Sequence, residues 1–284
     1  MNEVINILKK YFDDSDINKL IVNIDTKKRN SIMNDKYFAK ISINGNSVYC
    51  NKFINEINLY NKNNKISIFP KIDDSLINSE YCLLVLDRIP LTTIGNSRNE
   101  FNLRLSNEDR KCIISNILEI KNIKVNFELD NSYSRIEKLE TYLSKTKEYI
   151  PVNIQNEIKN LKNSIICEKY ERVLSHGDLI STNIMIENNK VYFLDWEYVS
   201  FKPMYYDLAY FLLFSKENNS FDILNELEDI DKNVVYNDGI IICLKEINEN
   251  IKLYNIIDKN IVNRNINRWI NELEKIIDKL KKNE

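Results

Sequence analysis

The chain has 284 residues, with 40 lysines and arginines against 42 acidic residues, so its formal net charge is −2. A chain that is 43% hydrophobic and 29% charged is typical of a globular protein, and it lacks the basic excess of a general nucleic-acid or membrane-surface binder. Its four glycines lie far apart, which excludes the GxGxxG and GxxxxGK[ST] phosphate loops, and its single histidine excludes histidine-rich zinc sites.

The N-terminal part is predicted to be an antiparallel sheet with one inserted helix. A first helix is expected over residues 1–12, where apolar residues recur with helical spacing. Short strands follow, bounded by turn residues, at residues 20–22, 37–41, 47–50 and 81–86. Asn44 and Gly45 are typical of a hairpin turn, and residues 53–61 are predicted to form the helix.

From about residue 105 the chain is predicted to be mostly helical. Ser106 and Asp109 have the spacing of a capping box, with Asp in place of the usual Glu or Gln. Residues 132–149 and 152–170 have the pattern of charged amphipathic helices, and helices resume from about residue 205.

One predicted hairpin interrupts these helices. Apolar strands at residues 183–186 and 191–194 flank a turn that contains Asn188 and Asn189, which tolerate positive φ. The chain contains neither an internal repeat nor a linker rich in Gly, Pro or Ser. We therefore expect two lobes that join near residues 86–92, one at 1–90 and the other at 91–284.

Five cysteines without a CxxC pair indicate reduced, mostly buried thiols and hence a cytoplasmic protein. The first 16 residues carry acids and have no continuous apolar segment, which is unlike a signal peptide. Every apolar run is far shorter than the roughly 18 residues of a membrane span. These features predict that neither a membrane nor a nucleic acid is a partner.

The most informative stretch joins His176, Gly177 and Asp178 to two later residues. Asn183 follows Asp178 by five positions, and Asp195 ends an apolar strand twelve positions after that. Amide and carboxylate oxygens suit Mg²⁺ bound together with phosphate oxygens. Asp178 is then left to accept or orient the proton of a substrate hydroxyl. Phosphoryl transfer needs a metal ion and a positioned nucleophile, and it needs little covalent chemistry from the protein.

The pattern His-x-Asp-x-x-x-x-Asn followed by Asp-x-x resembles the catalytic and metal-binding motifs of the protein-kinase-like fold. The His-Gly-Asp form, with Asp-Trp-Glu at 195–197 in place of Asp-Phe-Gly, is similar to aminoglycoside phosphotransferases and bacterial choline kinases. The resemblance is strong over residues 174–214 and weaker over 37–91. It implies an α+β, bilobal fold with a small antiparallel β-rich N-lobe and a large, mostly helical C-lobe.

The resemblance also implies a role for individual residues. Asp178 would be the catalytic aspartate, Asn183 and Asp195 would bind Mg²⁺, and His176 and Asp207 would be structural residues of the catalytic loop. ATP or GTP would be the co-substrate.

The nucleotide site of such a family needs a strand lysine on the phosphates and a helix glutamate to pair with it. Lys40 and Glu56 are the candidates, because a buried lysine without a partner is costly. The backbone near Leu86 and Arg88 would hydrogen-bond the base edge. The chain has no Gly-rich loop at residues 27–35, and we name Ser31 as the phosphate contact there. The missing glycines, and the absence of an Ala-Pro-Glu segment, argue against a protein kinase.

The acceptor is expected to be a small, cationic hydroxyl compound of the aminoglycoside or choline type. Six acidic residues against two lysines between 216 and 232 would suit such a substrate. Aromatic faces bind quaternary ammonium groups. The candidate substrate-binding residues are Glu197, Tyr198, Glu217 and Trp269.

Three alternatives stand beside this hypothesis. One is a catalytically silent kinase-fold binding protein, and another is a kinase of a neutral sugar or sugar-like metabolite. The third, an aspartate-based hydrolase or phosphatase, would need carboxylates clustered on the strand ends of a parallel α/β sheet. The predicted hairpin and the helical C-terminal half disfavour it.

Overall fold

The structure is a computed structural model that describes residues 1–24, 29–43, 48–98, 100–101, 105–215 and 220–283. The described α-helices are α1 (Asn2–Leu8), α2 (Asp14–Ile24), α3 (Val48–Lys62), α4 (Asn107–Glu119), α5 (Arg135–Thr146), α6 (Val152–Asn160), α7 (Lys162–Ile166), α8 (Tyr206–Phe214), α9 (Lys232–Lys252) and α10 (Lys259–Asn283). The described strands are β1 (Arg29–Met33), β2 (Tyr37–Ile43), β3 (Ile72–Ile77), β4 (Tyr81–Asp87), β5 (Gly95–Ser97), β6 (Glu100–Phe101), β7 (Val173–Ser175), β8 (Ile184–Glu187), β9 (Lys190–Phe193) and β10 (Ser200–Lys202).

The chain divides into two compact units. The first comprises Met1–Leu129 and His176–Ser200, and the second comprises Asp130–Ser175 and Phe201–Glu284. The lobe boundary expected at residue 90 stays a prediction. Within the described residues, every helix is too short or too polar to cross a membrane.

The first unit contains a four-stranded antiparallel sheet in the order β1-β2-β4-β3. Successive side chains of a strand point to opposite faces of the sheet. Ala39 and Ile41 of β2 therefore join the core formed with α1 and α2, together with Leu83 and Val85 of β4. Lys40 lies between Ala39 and Ile41 and faces the other way, where it meets α3.

Several predicted elements of the first unit are confirmed. The strands expected at residues 37–41 and 81–86 are β2 and β4. The hairpin is β8 paired with β9, and its turn residues Asn188 and Asn189 have φ of 50° and 62°. The capping box is present at α4, where the Ser106 hydroxyl accepts the Asp109 N–H and the Asp109 carboxylate accepts the Ser106 N–H.

Two strand predictions were wrong. Residues 20–22 belong to α2, because Ile17 and Leu20 are three positions apart and both are buried in the core beneath the helix. The described part of the segment predicted as a strand at 47–50 belongs to the first turn of α3, which begins at Val48 rather than near residue 53. The Asn44-Gly45 turn lies outside the described residues. Strands β1 and β3 were not predicted.

The second unit is built mainly from helices, and its core is α8, α9 and α10. All nine residues of α8 are buried. The Phe214 ring at the end of α8 lies 5.0 Å from the Trp269 ring of α10. The segment predicted as one helix over 152–170 is two helices, α6 and α7.

Buried side-chain hydrogen bonds also connect helices within the second unit. The Arg135 guanidinium of α5 donates to Asp238 Oδ1 of α9 at 2.8 and 3.1 Å, and both side chains are almost fully buried. Tyr210 of α8 donates to Glu246 of α9 at 3.1 Å. Because buried charged groups are costly without partners, these contacts fix the helices against one another.

Candidate functional site

The first feature of the candidate site is a buried lysine in the first unit, surrounded by three carboxylates. Lys40 Nζ lies 2.9 Å from Glu56 Oε2 of α3 and 2.8 Å from Asp195 Oδ1, and it also forms an ion pair with Glu197. Lys40 is 9% exposed. The pairing of Lys40 with Glu56 that the sequence predicted is therefore observed, whereas the contacts to Asp195 and Glu197 join residues about 155 positions apart.

These neighbours determine the protonation of the cluster. Burial disfavours the charged lysine, but the three carboxylates outweigh it and raise the pKa of Lys40. Burial raises the pKa of Glu56 to about 7, against the lowering effect of Lys40. Burial also acts to raise the pKa of Asp195, yet the Lys40 charge and hydrogen bond hold it below its ordinary value. Asp195 therefore stays ionised more readily than Glu56.

The cluster has the donor chemistry of a cation site. One ligand oxygen from each of Glu56, Asp195 and Glu197 lies within 4.8 Å of the others. Three carboxylates against one ammonium leave negative charge in excess, and hard carboxylate oxygens are the ligands that Mg²⁺ prefers. The Asp195 side chain is 46% exposed, whereas Glu197 is 4% exposed. Asp195 is therefore the accessible carboxylate of the three.

The local fold at the end of β9 places Asp195. Its φ and ψ are both 62°, in the left-handed region, which aspartate tolerates better than most residues. The chain then turns into a short 3₁₀ helix, and the Trp196 N–H donates to Glu56 Oε1 at 3.1 Å. Glu56 consequently binds both the strand lysine and the backbone next to Asp195.

The loop that carries Asp178 is held by its own polar groups. The His176 ring is fully buried, its Nε2 lies 2.8 Å from the Leu194 carbonyl oxygen, and its ring centroid is 4.6 Å from that of Trp196. Asn183 donates from Nδ2 to the Asp178 carbonyl oxygen at 2.9 Å. These contacts close the loop between Asp178 and Asn183, and they connect it to the residue before Asp195.

Sequence reasoning missed a basic residue at this loop. Arg98, in the turn between β5 and β6, donates from Nη1 to the Asp178 carboxylate at 3.1 and 3.5 Å. The two residues are 80 positions apart, and Arg98 belongs to no recognisable motif. A pattern of local spacing therefore carried no signal for this contact.

A cavity of about 790 Å³ lies beside the lysine cluster, entirely within the first unit. Lys40, Glu56 and Asp195 line it, and Ser31 of β1 and the segment after β4 line it as well. Apolar side chains contribute much of the remaining wall, among them Phe38, Leu84, Leu86, Ile89 and Met185. A cavity of this size, apolar with a few convergent charged groups, is typical of a small-molecule site.

The segment after β4 is the one predicted to contact a nucleotide base. The Arg88 N–H already donates to the Lys36 carbonyl oxygen at 2.7 Å, and Arg88 Nη1 donates to the Asn34 carbonyl oxygen at 2.8 Å. Leu86 pairs with Phe38 on one side and with Ile72 on the other. Arg88 therefore ties this segment to the turn between β1 and β2. Residues 29–33 of the expected phosphate loop form β1, and residues 27–28 lie outside the described residues.

The predicted acceptor residues lie in different surroundings. Glu197 belongs to the lysine cluster. Tyr198 is 42% exposed, with Lys52 Nζ 4.1 Å from its ring centroid. In the second unit, Trp269 is 2% exposed, and Glu217 lies outside the described residues. Asp207, also in the second unit, accepts a hydrogen bond at 2.9 Å from the hydroxyl of Ser175, the residue before His176.

Two acidic side chains of the segment after residue 215 have basic partners. Asp222 forms an ion pair with Lys279. Asp231 forms an ion pair with Lys169 at 2.6 Å, and it caps α9 by accepting the Val234 N–H. These partners offset the negative charge that the sequence suggested for this segment.

Comparison with known proteins places these motifs in a family context. Residues 99–219 match the family described as choline/ethanolamine kinase. A LicA homologue from Mycoplasma capricolum is 29% identical over 110 residues, which are 38% of this chain and 45% of that protein. The chain thus aligns with slightly less than half the length of this curated relative.

Solved structures share the fold over nearly the whole chain. Choline kinase LicA from Streptococcus pneumoniae matches with a TM-score of 0.58 and 16% identity, covering 91% of this chain and 99% of that one. Aminoglycoside 2′-phosphotransferase-IIIa, solved as a GDP complex, matches with a TM-score of 0.60 and 10% identity, covering 93% and 99%. The expected kinase-like fold, with a small antiparallel sheet and a mostly helical remainder, is confirmed, as is the resemblance to the choline kinase and aminoglycoside phosphotransferase family.

Proposed function

We propose that this protein is a small-molecule kinase. It resembles the choline kinase and aminoglycoside phosphotransferase family and shares the kinase-like fold of that family. It would transfer the γ-phosphate of ATP or GTP to a hydroxyl group of a small acceptor. The observation that carries this proposal is Lys40, held by Glu56 and Asp195 at 2.9 and 2.8 Å on the wall of a 790 Å³ cavity. A charged lysine fixed beside an ionised aspartate is the pair that phosphoryl transfer uses to bind phosphates and their metal.

The nucleotide would occupy this cavity with its base at the apolar end and its phosphates at Lys40. Phe38, Leu86 and Met185 offer the apolar surface on which a purine stacks. Ser31 lines the same cavity and is our candidate for a phosphate contact from β1. The base edge would meet the backbone after β4. Since the Arg88 N–H is donated to Lys36, we expect carbonyl oxygens and the next N–H groups to make that contact.

Asp195 and Asn183 would hold Mg²⁺. When bound, the ion neutralises charge on the phosphate oxygens and aligns them for transfer. Lys40 holds the Asp195 carboxylate ionised, and the left-handed turn at Asp195 directs the chain so that Trp196 anchors on Glu56.

Asp178 would orient the acceptor hydroxyl and take its proton as the new bond forms. Positioning and electrostatic stabilisation carry most of the rate enhancement in this type of reaction. The buried His176 and the Asn183 amide restrain the Asp178 loop through the contacts described above, which favours a defined position for the carboxylate.

For the acceptor we propose a small amino alcohol or amino sugar. The matched family is that of choline and ethanolamine kinases, and the exposed ring of Tyr198 already binds one cation, that of Lys52. Rings that bind an ammonium group in this way also bind ligand cations. Five free cysteines favour a reducing compartment, and we propose the cytoplasm as the site of the reaction.

A nucleotide-release screen tests this function. The full-length chain is incubated with Mg²⁺ and either ATP or GTP, together with choline, ethanolamine, aminoglycosides, macrolides or simple sugars. Diphosphate release is then measured with a coupled assay. We expect release to depend on one acceptor class and on Mg²⁺, and Asp178→Asn to abolish it while nucleotide binding persists. Wild-type protein that fails to bind either nucleotide by calorimetry would refute the proposed function.

A further inference from the structure

The contact between Arg98 and Asp178 places a basic group at the proposed catalytic aspartate. Nη1 of Arg98 lies 3.1 Å from Oδ1 and 3.5 Å from Oδ2 of that carboxylate. The Asp178 side chain is 17% exposed, and that of Arg98 is 40% exposed. Arg98 is therefore the more exposed of the two side chains, and the Asp178 carboxylate that it contacts remains partly open to solvent.

The charges nearby give this contact its significance. The loop of residues 176–183 contains no lysine or arginine, and Lys40 forms ion pairs with three carboxylates. A phosphoryl group in transfer carries negative oxygens and must approach the negative Asp178. In phosphoryl transfer this repulsion is commonly offset by a cation at the transferred group, often an arginine.

We propose that Arg98 is a catalytic residue of the phosphoryl transfer: its guanidinium holds Asp178 and contacts the oxygens of the transferred phosphoryl group. This inference rests on the proposed function. In the step, the acceptor oxygen forms a bond to the γ-phosphorus, and the bond from that phosphorus to the β–γ bridging oxygen breaks. The bond's electron pair leaves with the nucleoside diphosphate, and the hydroxyl proton passes to Asp178.

The geometry of the guanidinium suits both contacts. Arginine carries five N–H donors in a planar fork and can hold a carboxylate while it contacts a phosphate oxygen. Nη1 makes the two contacts to Asp178 described above. A lysine at this position would supply a similar charge as a single point, without the fork.

The experiment compares wild type with Arg98→Gln and Arg98→Lys. Arg264→Gln is the matched control, because Arg264 is exposed on α10 in the other unit and its replacement removes the same charge. Calorimetry with Mg²⁺ gives the affinity for a nucleoside diphosphate and for its non-hydrolysable triphosphate analogue. Phosphate release from Mg²⁺ and ATP or GTP, without an added acceptor, gives the rate of transfer to water. Circular dichroism verifies the fold of each variant.

If Arg98 contacts the transferred group, Arg98→Gln lowers the ratio of triphosphate to diphosphate affinity by roughly tenfold or more. It also slows phosphate release by roughly 10²- to 10³-fold. Diphosphate affinity remains within about twofold, Arg98→Lys falls between glutamine and wild type, and Arg264→Gln matches wild type. A residue that only stabilised the loop would not change the affinity ratio selectively.

Unchanged affinity ratio and release rate in Arg98→Gln would overturn this inference while leaving the proposed function intact. If Arg98→Gln is unfolded, Arg98→Lys is the deciding variant. A wild-type affinity ratio and a wild-type rate of phosphate release in Arg98→Lys would overturn the role assigned to the planar guanidinium of Arg98. Wild-type protein that binds neither nucleotide would instead refute the proposed function itself, and the inference with it.

Discussion

Replacement of Lys40 by methionine should reveal how strongly the three carboxylates depend on their common partner. The substitution keeps most of the side-chain volume and removes the ammonium that contacts Glu56, Asp195 and Glu197. Their oxygens lie within 4.8 Å of one another, and two unit charges at that distance repel by about 3.5 kcal/mol at an effective dielectric constant near 20. Removal of one partner from a buried ion pair typically costs about 3–5 kcal/mol. We therefore expect Lys40→Met to lower the free energy of unfolding by about 3–5 kcal/mol at pH 8.

The pH dependence distinguishes this explanation from a simple packing defect. The pKa of Glu56 in the folded protein is raised to about 7, above its value of 4.5 in the unfolded chain. The stability linked to this group is therefore complete below pH 4.5 and is lost as the pH rises through 7. Without Lys40, which lowers the pKa of Glu56, Glu56 should remain protonated to a higher pH.

This shift sets the size of the expected effect. Each pH unit is worth about 1.4 kcal/mol for one bound proton. Because Glu56 of the variant takes up its proton at a higher pH than Glu56 of wild type, the difference in unfolding free energy between the two proteins should shrink from pH 8 to pH 5.5, by about 1.4 kcal/mol for each pH unit that separates the two pKa values.

Urea unfolding monitored by Trp196 fluorescence is the assay, in a Trp269→Phe background because the chain has two tryptophans. The control is Lys71→Met, which also removes a lysine paired with two aspartates, but an exposed one. Exposed ion pairs contribute little, so its unfolding midpoint should stay near that of wild type. Equal losses in the two variants, or a loss in Lys40→Met that does not vary with pH, would contradict the reasoning.

Three other predictions follow from single contacts. Asp195→Asn should remove the dependence of nucleotide affinity on Mg²⁺, measured by calorimetry with and without the ion; an unchanged dependence would exclude Asp195 as a ligand. Ser106→Ala should destabilise by about 1 kcal/mol through loss of the α4 cap, whereas Ser144→Ala inside α5 should not destabilise; equal midpoints for the two would contradict this. Arg135→Met should cost about 3–5 kcal/mol at pH 8, and less at pH 5.5, because burial raises the pKa of Asp238 to about 6; a pH-independent loss in urea unfolding would count against it.

The sequence predicted those parts of the fold in which local pattern and tertiary packing agree. The hairpin β8–β9 follows from the two asparagines at its turn, and β4 from an apolar run bounded by polar residues. Strand β3 was missed because Asp73, Asp74 and Ser75 are poor strand formers, and only pairing with β4 holds them extended. Residues 20–22 fail for the opposite reason: an apolar run with two β-branched residues is typical of a strand, but here Leu20 packs into the core from a helix.

The same distinction between local pattern and tertiary packing applies to the residues of the candidate site. Asp178, Asn183 and Asp195 are visible in the sequence because their spacing is local and unusual. The contacts of Lys40 with Asp195 and of Asp178 with Arg98 join residues that are 155 and 80 positions apart. Contacts over such distances depend on how the chain folds back, which no local spacing encodes.

The two hydrogen bonds of Glu56 make helix α3 a coupling element. One carboxylate oxygen accepts from Lys40 and the other from the Trp196 N–H, immediately after Asp195. Displacement of α3 would release the strand lysine and the backbone of the left-handed turn together. A ligand or partner that shifts this single helix would therefore disturb the proposed phosphate-binding lysine and the proposed metal ligand as one event, without contact to either group.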